Sequence, residues 1–398
     1  MIKALTAHTG EIDNTEAALA EIMEQLDLKN NLLKNSIGLI TCYSEFIDTG
    51  IVKALTSALP FETVGTTTLG NLVPGSLDTL SLTIMVLTSD DVSFSVGLTD
   101  SITSDSPEDE ALCAAAYEKA AAKLPDFPEK KPLLILSFAP LLMNVSGDFY
   151  VTAFDRVSGG IPSFGPVAVD HTSDYHTAQI LCNGESYADR CAFVLLSGEV
   201  VPHFFIASIS SDKFFQDKGL VTDAQGCLLK TVNDVPVVDY LKSLGLPQNE
   251  DGTLSAINIF PFVVDYNDGT RPVVRAIFAL TPEGCVVCGG NIPTGTTLYV
   301  SAFDSAEVLS TTEEALRQAL AQRKFDCMIL YSCVGRYFAM DYNPLGEMES
   351  VQKLIPEGLP YQFTYSGGEL CPVHAQGTQS LTNRNHNDSL IICALSSK

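Results

Sequence analysis

One pattern recurs three times along the 398 residues: a short apolar run, a connecting segment stopped by proline or glycine, a small-residue polar loop, and a second β-rich run. Its clearest copy begins at Cys327-Met328-Ile329-Leu330-Tyr331, too short for a helix and followed by small residues, which predicts a buried strand. Ser332-Cys333-Val334-Gly335-Arg336 then sits at that strand's C-terminal end. Met348, Val351 and Leu354 fall on one helical face, and Pro356 with Gly358 stops the helix. A second strand over 360–365 leads into Tyr365-Ser366-Gly367-Gly368-Glu369. A β-α-β unit brings both strand-end loops to one edge of the sheet, so Arg336 and Glu369 are expected to face a common crevice.

The other copies follow the same order. In the first, 37–44 reads as the strand, Ile51, Leu55 and Leu59 as the helix face, Pro60 as the stop, and 64–70, with Thr66 near its centre, as the loop. In the second, 133–138 is the strand, Gly159-Gly160-Ile161-Pro162 closes the connector, and the loop runs over 164–170 to Asp170. β-rich runs at 80–87, 191–196 and 389–395 complete the three copies. This grammar predicts an α/β fold, mixed α+β in detail, with repeated β-α-β-β units forming mixed sheets. Ser44, Ser137 and Ser332 should lie near the C-terminal ends of equivalent strands. The pattern weakens between Ser210 and Gly226, which predicts two domains, 1–212 with two copies and 213–398 with the third. Thr311-Thr312-Glu313-Glu314 reads as the cap of the helix that delivers the chain to the third copy.

Several of these motifs together resemble the FIST family. They are the strand ending in Ser332-Cys333-Val334-Gly335-Arg336, the helix with Glu347 and Glu349, the run from Tyr365 through Gly367-Gly368-Glu369 to Cys371-Pro372-Val373, and the 228–241 segment. The resemblance takes in both the FIST N and the FIST C parts, over about 37–210 and onward to about 395. Phe363 stands where the family often has glycine, and the GG-L-A-GD segment appears as Gly165-Pro166-Val167-Ala168-Val169-Asp170. The resemblance implies a sensory domain of signal transduction that binds small ligands such as amino acids, and it implies no catalytic residues.

Composition narrows the function classes. A net charge of −25, from 48 acidic and 23 basic residues, opposes nucleic acid and anionic membrane surfaces, both of which need a basic face. No apolar run approaches the roughly 20 residues of a membrane span, so a cytoplasmic protein without membrane insertion is expected. Eleven cysteines, several inside apolar strands, read as reduced core thiols. Cys285-Val286-Val287-Cys288 lacks a second pair or a nearby histidine and reads as strand and turn. The 170–176 segment, with His171 and His176, matches no metal spacing, and Gly367-Gly368-Glu369 lacks a phosphate-loop lysine; no cofactor or metal is expected.

The expected ligand site therefore comprises Ser332, Cys333, Arg336, Tyr365, Ser366, Gly367, Gly368 and Glu369, with Asp170 and Thr66 from the other two loops. The planar Arg336 fork would hold a carboxylate, Glu369 would accept from an ammonium, and Tyr365 and Ser366 would bond between them. That points to an amino-acid-like ligand or a small carboxylate, sensed on behalf of a protein partner acted on in trans. The competing role for Arg336 is an ion pair with Glu369 or Glu347 that ties the loops together. Two other functions stay open: a thiol-dependent small-amide hydrolase or acyltransferase using Cys333 with a base such as His374, and a scaffold that binds no ligand.

Overall fold

Each copy is built on two parallel strands joined through a helix. In the computed structural model, which describes residues 1–76, 80–343, 345–375, 378 and 380–398, Asn35–Cys42 pairs with Thr63–Thr67, Leu134–Phe138 with Ser163–Pro166, and Cys327–Cys333 with Tyr361–Ser366. The connecting helices Ile51–Ala58, Gly147–Ser158 and Leu345–Leu354 turn apolar stripes onto the sheets; Ile51, Val52, Leu55, Met348 and Val351 are all buried. A third strand returns antiparallel along the first: Leu82–Ser89, Ala192–Gly198 or Leu390–Ser397. Outside it lies Ile2–Thr9, Val92–Leu98 or Val200–Ala207. The fold is the expected α/β arrangement of repeated units in mixed sheets.

The returning strand of one copy runs almost directly into the outer strand of the next, from Ser89 to Val92 and from Gly198 to Val200. The chain ends close the same circuit, since Ile2 N donates to Ser397 Oγ at 3.1 Å.

Each sheet is completed by a neighbour. The first borrows Ile180–Cys182 and Glu185–Tyr187 from the second copy; the second borrows Glu369–His374 and Leu381–His386 from the third; the third borrows Asn71–Leu72 from the first. Equivalent backbone bonds mark the three junctions: Thr67 N to Gln179 O, Val167 N to Gly368 O, and Tyr365 N to Gly70 O. Parallel pairing sets Cys42 beside Thr67, Ala139 beside Val167 and Ser332 beside Tyr365. The three serines thus lie near the ends of equivalent strands without being in register: Ser44 is two residues past that level and Ser137 two before it.

Two residues ahead of Thr67 and Val167, glycine is required. A Cβ on Gly65 would lie 1.8 Å from Ile40 O, and one on Gly165 would lie 1.7 Å from Ser137 O. At the equivalent position of the third copy, Phe363 instead carries a fully buried ring, set edge-on to Tyr365 with centroids 5.1 Å apart.

Between Val200–Ala207 and Cys327–Cys333 the chain forms a further antiparallel sheet over 219–300, with its own core around Val221, Leu229, Phe262 and Leu298. Arg275, fully buried, fastens it to the second copy by donating to Asp148 Oδ1 at 3.0 Å and to Asn385 O at 2.7 Å. The helix that follows is Ser305–Gln322, and it begins earlier than the sequence suggested. Its cap is Asp304, which accepts from Glu307 N at 2.9 Å, because the buried stripe already includes Glu307 and Val308. Thr311 and Thr312 are consequently interior and buried.

Candidate functional site

The ends of Cys327–Cys333 and Tyr361–Ser366 carry most of the expected site. Neighbouring residues on a strand point to opposite faces, so Ser332 and Tyr365 look one way while Cys333 and Ser366 look the other.

On the first face the centre is Glu347, delivered by Leu345–Leu354. Its Oε2 accepts from Ser332 Oγ at 2.8 Å and from the Tyr365 hydroxyl at 3.2 Å; its Oε1 accepts from Thr312 Oγ1 at 2.7 Å and Arg336 Nε at 2.9 Å. Arg336 Nη2 donates to Thr312 Oγ1 at 2.6 Å and Val308 O at 2.8 Å. Burial, with Glu347 alongside, pushes the Tyr365 hydroxyl well up. Arg336 therefore does not turn towards Glu369 to hold a ligand. The short helix Val334–Ala339 starts directly after the strand and swings its guanidinium into the helical layer, where the fork is already filled.

On the second face lie Cys333, Ser366, Glu369 and Asp388. Ser366 Oγ donates to Glu369 Oε1 at 2.7 Å. Glu369 Oε2 finds no conventional donor, with only the Cys333 thiol, a weak one, beside it; Asp388 Oδ2 also lacks a donor. Backbone N–H groups of Gly335 and Asp388 lie near enough to the Cys333 sulfur to offset slightly the upward push of burial on its thiol. Gly335 leaves the space that Asp388 fills, since a Cβ there would sit 1.7 Å from Asp388 Oδ1. Burial holds the Cys333 thiol well above its ordinary range, reinforced by Glu369 and Asp388. Burial likewise raises Glu369, against the Ser366 hydrogen bond, and raises Asp388 to about 7 against the pull of Arg336. Near neutral pH this face therefore holds a protonated Cys333 thiol.

The second copy supplies the adjoining wall. Gly367 N donates to Val167 O at 2.9 Å and Val167 N to Gly368 O at 2.8 Å, which joins the two loops through backbone. Asp170, fully buried, accepts from Thr172 N and Oγ1 at 2.5 Å each; its Oδ2 lies 2.7 Å from Thr177 Oγ1, which is also 3.2 Å from Ser44 Oγ. Tyr175 packs close enough to Cys333, Asp170, Tyr342 and Tyr337 for each to add to the upward push that burial gives its hydroxyl. Tyr175 at φ 55° and Tyr342 at φ 61° both hold left-handed backbone, a conformation that costs a non-glycine residue energy and collects at functional sites. The Tyr337 ring bridges Tyr342 and Tyr365, at 5.7 and 5.8 Å between centroids.

Thr66 stays outside this group, its buried hydroxyl committed to the Thr67 and Gln179 carbonyls at 3.1 and 3.4 Å. His374 is exposed at the far end of Glu369–His374, five residues and roughly 17 Å of strand away from Glu369. Sequence reasoning missed Asp388 and Tyr175. Asp388 lies in the polar run Asn385-His386-Asn387-Asp388-Ser389, which carries no motif, and Tyr175 lies in the 170–176 segment, of which only Asp170 was singled out. Among the described residues no cluster of three His, Cys, Asp or Glu side chains is arranged to hold a metal, and no helix is long and apolar enough to cross a membrane.

A FIST N domain model matches residues 36–234, and a FIST C domain model matches residues 238–372. No curated protein matches the chain. Among solved structures, a cyanuric acid hydrolase described as an evolutionary innovation by structural concatenation overlaps with a TM-score of 0.38 at 10% identity, over 100% of this chain and 99% of its own. The cyanuric acid hydrolase of A. caulinodans gives 0.35 at 9% identity, over 100% and 99%. Overlaps this loose carry no argument about chemistry.

Proposed function

We propose, from the premise that this chain belongs to the FIST family, that it is a cytoplasmic sensory protein that takes one small polar ligand, amino-acid-like or a small carboxylate, and passes its bound state to a protein partner in trans. FIST domains are sensory domains of signal transduction and small-ligand binding. The proposed ligand contacts are Cys333, Ser366, Gly367, Gly368 and Glu369 from the 213–398 half, with Asp170 from the 1–212 half. Ser332, Tyr365 and Arg336 act behind them by fixing Glu347.

The observation that carries this reading is the pair of buried acceptors, Glu369 Oε2 and Asp388 Oδ2, left without donors where loops of two copies meet. Burying such a group unpaired costs about 1–3 kcal/mol, so a fold that retains two of them beside left-handed tyrosines is prepared for a molecule that supplies the missing partners. The thiol-enzyme reading is disfavoured, because burial and two neighbouring acids keep Cys333 protonated, and a thiol is a poor nucleophile.

The test is a thermal-shift screen of amino acids, amines and small carboxylates on the full chain, with hits confirmed by calorimetric titration. A ligand at a hundredfold excess over its Kd stabilises the folded state by about 2.7 kcal/mol, a readily seen rise in melting temperature. A screen of all three classes that moves the melting temperature with none of them would leave the scaffold reading in place of this one.

A further inference from the structure

We propose that the group by which the ligand is anchored is a cation, a protonated primary amine received between the carboxyl groups of Glu369 and Asp388 and closed over by the Tyr175 ring. This rests on the ligand reading above and decides the polarity of the site, which that reading leaves open between amine and carboxylate.

The hydrogen-bond inventory makes the case. An ammonium brings three donors and no acceptor, whereas a carboxylate brings acceptors only. Glu369 is fully buried and Asp388 is 3% exposed, and each keeps an oxygen with no donor directed at it. The nearest side-chain donor is already given away, Ser366 Oγ to Glu369 Oε1, and the Cys333 thiol is only a weak one. A carboxylate entering here would meet the two acceptor oxygens and bring neither a donor. The one arginine in the motif, Arg336, is occupied on the opposite face of the strands by Glu347, Thr312 and Val308.

Charge points the same way. Asp170 adds a third carboxyl group near Tyr175, in a chain of net charge −25. Aromatic rings beside carboxylates suit an ammonium twice over, since the ring face attracts a cation and excludes the water that would compete for it. An arriving ammonium favours the ionised carboxylates, so Asp388, raised to about 7, gives up its share of proton to solvent as the amine binds.

The experiment is calorimetric titration of the full chain at pH 7 with butylamine, butyrate and 4-aminobutyrate, run in phosphate and in MOPS, neither of which is a primary amine. Glu369→Gln and Asp388→Asn are titrated alongside; both keep shape and remove charge, and if one fails to melt cooperatively the other carries the comparison. The expected result is binding by the two amines and none by butyrate, at least tenfold weakening in either variant, and a heat that differs between the buffers through proton release. Butyrate binding as tightly as butylamine, or amine affinity unchanged in the variants, would overturn the cation assignment and leave the sensor reading standing. If none of the three binds while other compounds in the wider screen do, the assignment again falls alone; if that screen is also blank, both fall.

Discussion

Arg336 and Glu347 meet at 2.9 Å with neither side chain exposed to water, and Glu347 also gathers Ser332, Thr312 and Tyr365. The pair joins the strand end, the helix before it and the helix after it at a single carboxylate.

Breaking a buried ion pair from one side leaves a charge uncompensated and costs about 3–5 kcal/mol. Glu347→Gln should lower the unfolding free energy measured by urea titration by an amount in that range. Arg336→Lys keeps the charge but loses the fork that reaches both Glu347 and Thr312, so it should also destabilise while leaving ligand affinity unchanged. An Arg336→Lys protein of normal stability and lost affinity would return Arg336 to the ligand.

Asp388 gives the chain a pH dependence of definite sign. Its folded pKa is about 7 against an ordinary 3.8, so between those values the folded chain holds a proton that the unfolded chain has released. Stability therefore falls as pH rises from about 4 to 7, at most about 1.4 kcal/mol per unit, and levels off above. The groups acting on it are Glu369 and the Cys333 thiol beside it and Arg336 behind them. Denaturant titrations across that range should show a shallower slope for Asp388→Asn. An unchanged slope would mean that Asp388 is already ionised in the folded chain.

Eleven cysteines are free, and nine of them are buried; Cys227 and Cys285 are half-exposed. A thiol reagent should therefore label those two quickly and the rest only on unfolding. Cys227 lies one step along the ladder from the Leu228 and Val287 pair, directly across from Cys288, whose N–H donates to Cys227 O at 2.9 Å. Peptide mapping after mild diamide treatment should find Cys227 joined to Cys288 before any other pair.

Gly65→Ala and Gly165→Ala should be nearly equivalent in effect, because each would drive a Cβ into a carbonyl oxygen of the adjacent parallel strand. Neither backbone can retreat without breaking the ladder, so a loss of several kcal/mol or failure to fold is expected in both. Gly50→Ala, at φ 78° with open space around it, is the control and should cost about 1 kcal/mol. Circular dichroism and melting of the three proteins give the comparison.

Much of the fold was legible because buried parallel strands announce themselves as apolar runs. The run at 133–138 became Leu134–Phe138, and that at 327–331 became Cys327–Cys333. The exchange of strands between sheets was not legible, since nothing local to Asn71 or Ile180 says which distant strand it will join. In the site, Glu369 was expected as a ligand contact from its glycine-flanked motif, and of the two roles left open for Arg336 the structure contains the ion pair with Glu347. Reading Thr311-Thr312 as a cap hid the buried hydroxyl that Arg336 binds, and treating Val334–Ala339 as loop hid the turn that takes it there.

The closed circuit of strands has a genetic consequence. With Ile2 bonded to Ser397 and each returning strand feeding the next outer strand, the chain resembles a ring opened at one of three interchangeable seams. Joining residues 1 and 398 through a short linker and reopening the chain between Ser89 and Val92, or beside Glu199, would preserve every ladder. Such rearranged genes should yield native protein, whereas a gene for any one copy alone would encode a sheet missing its borrowed edge.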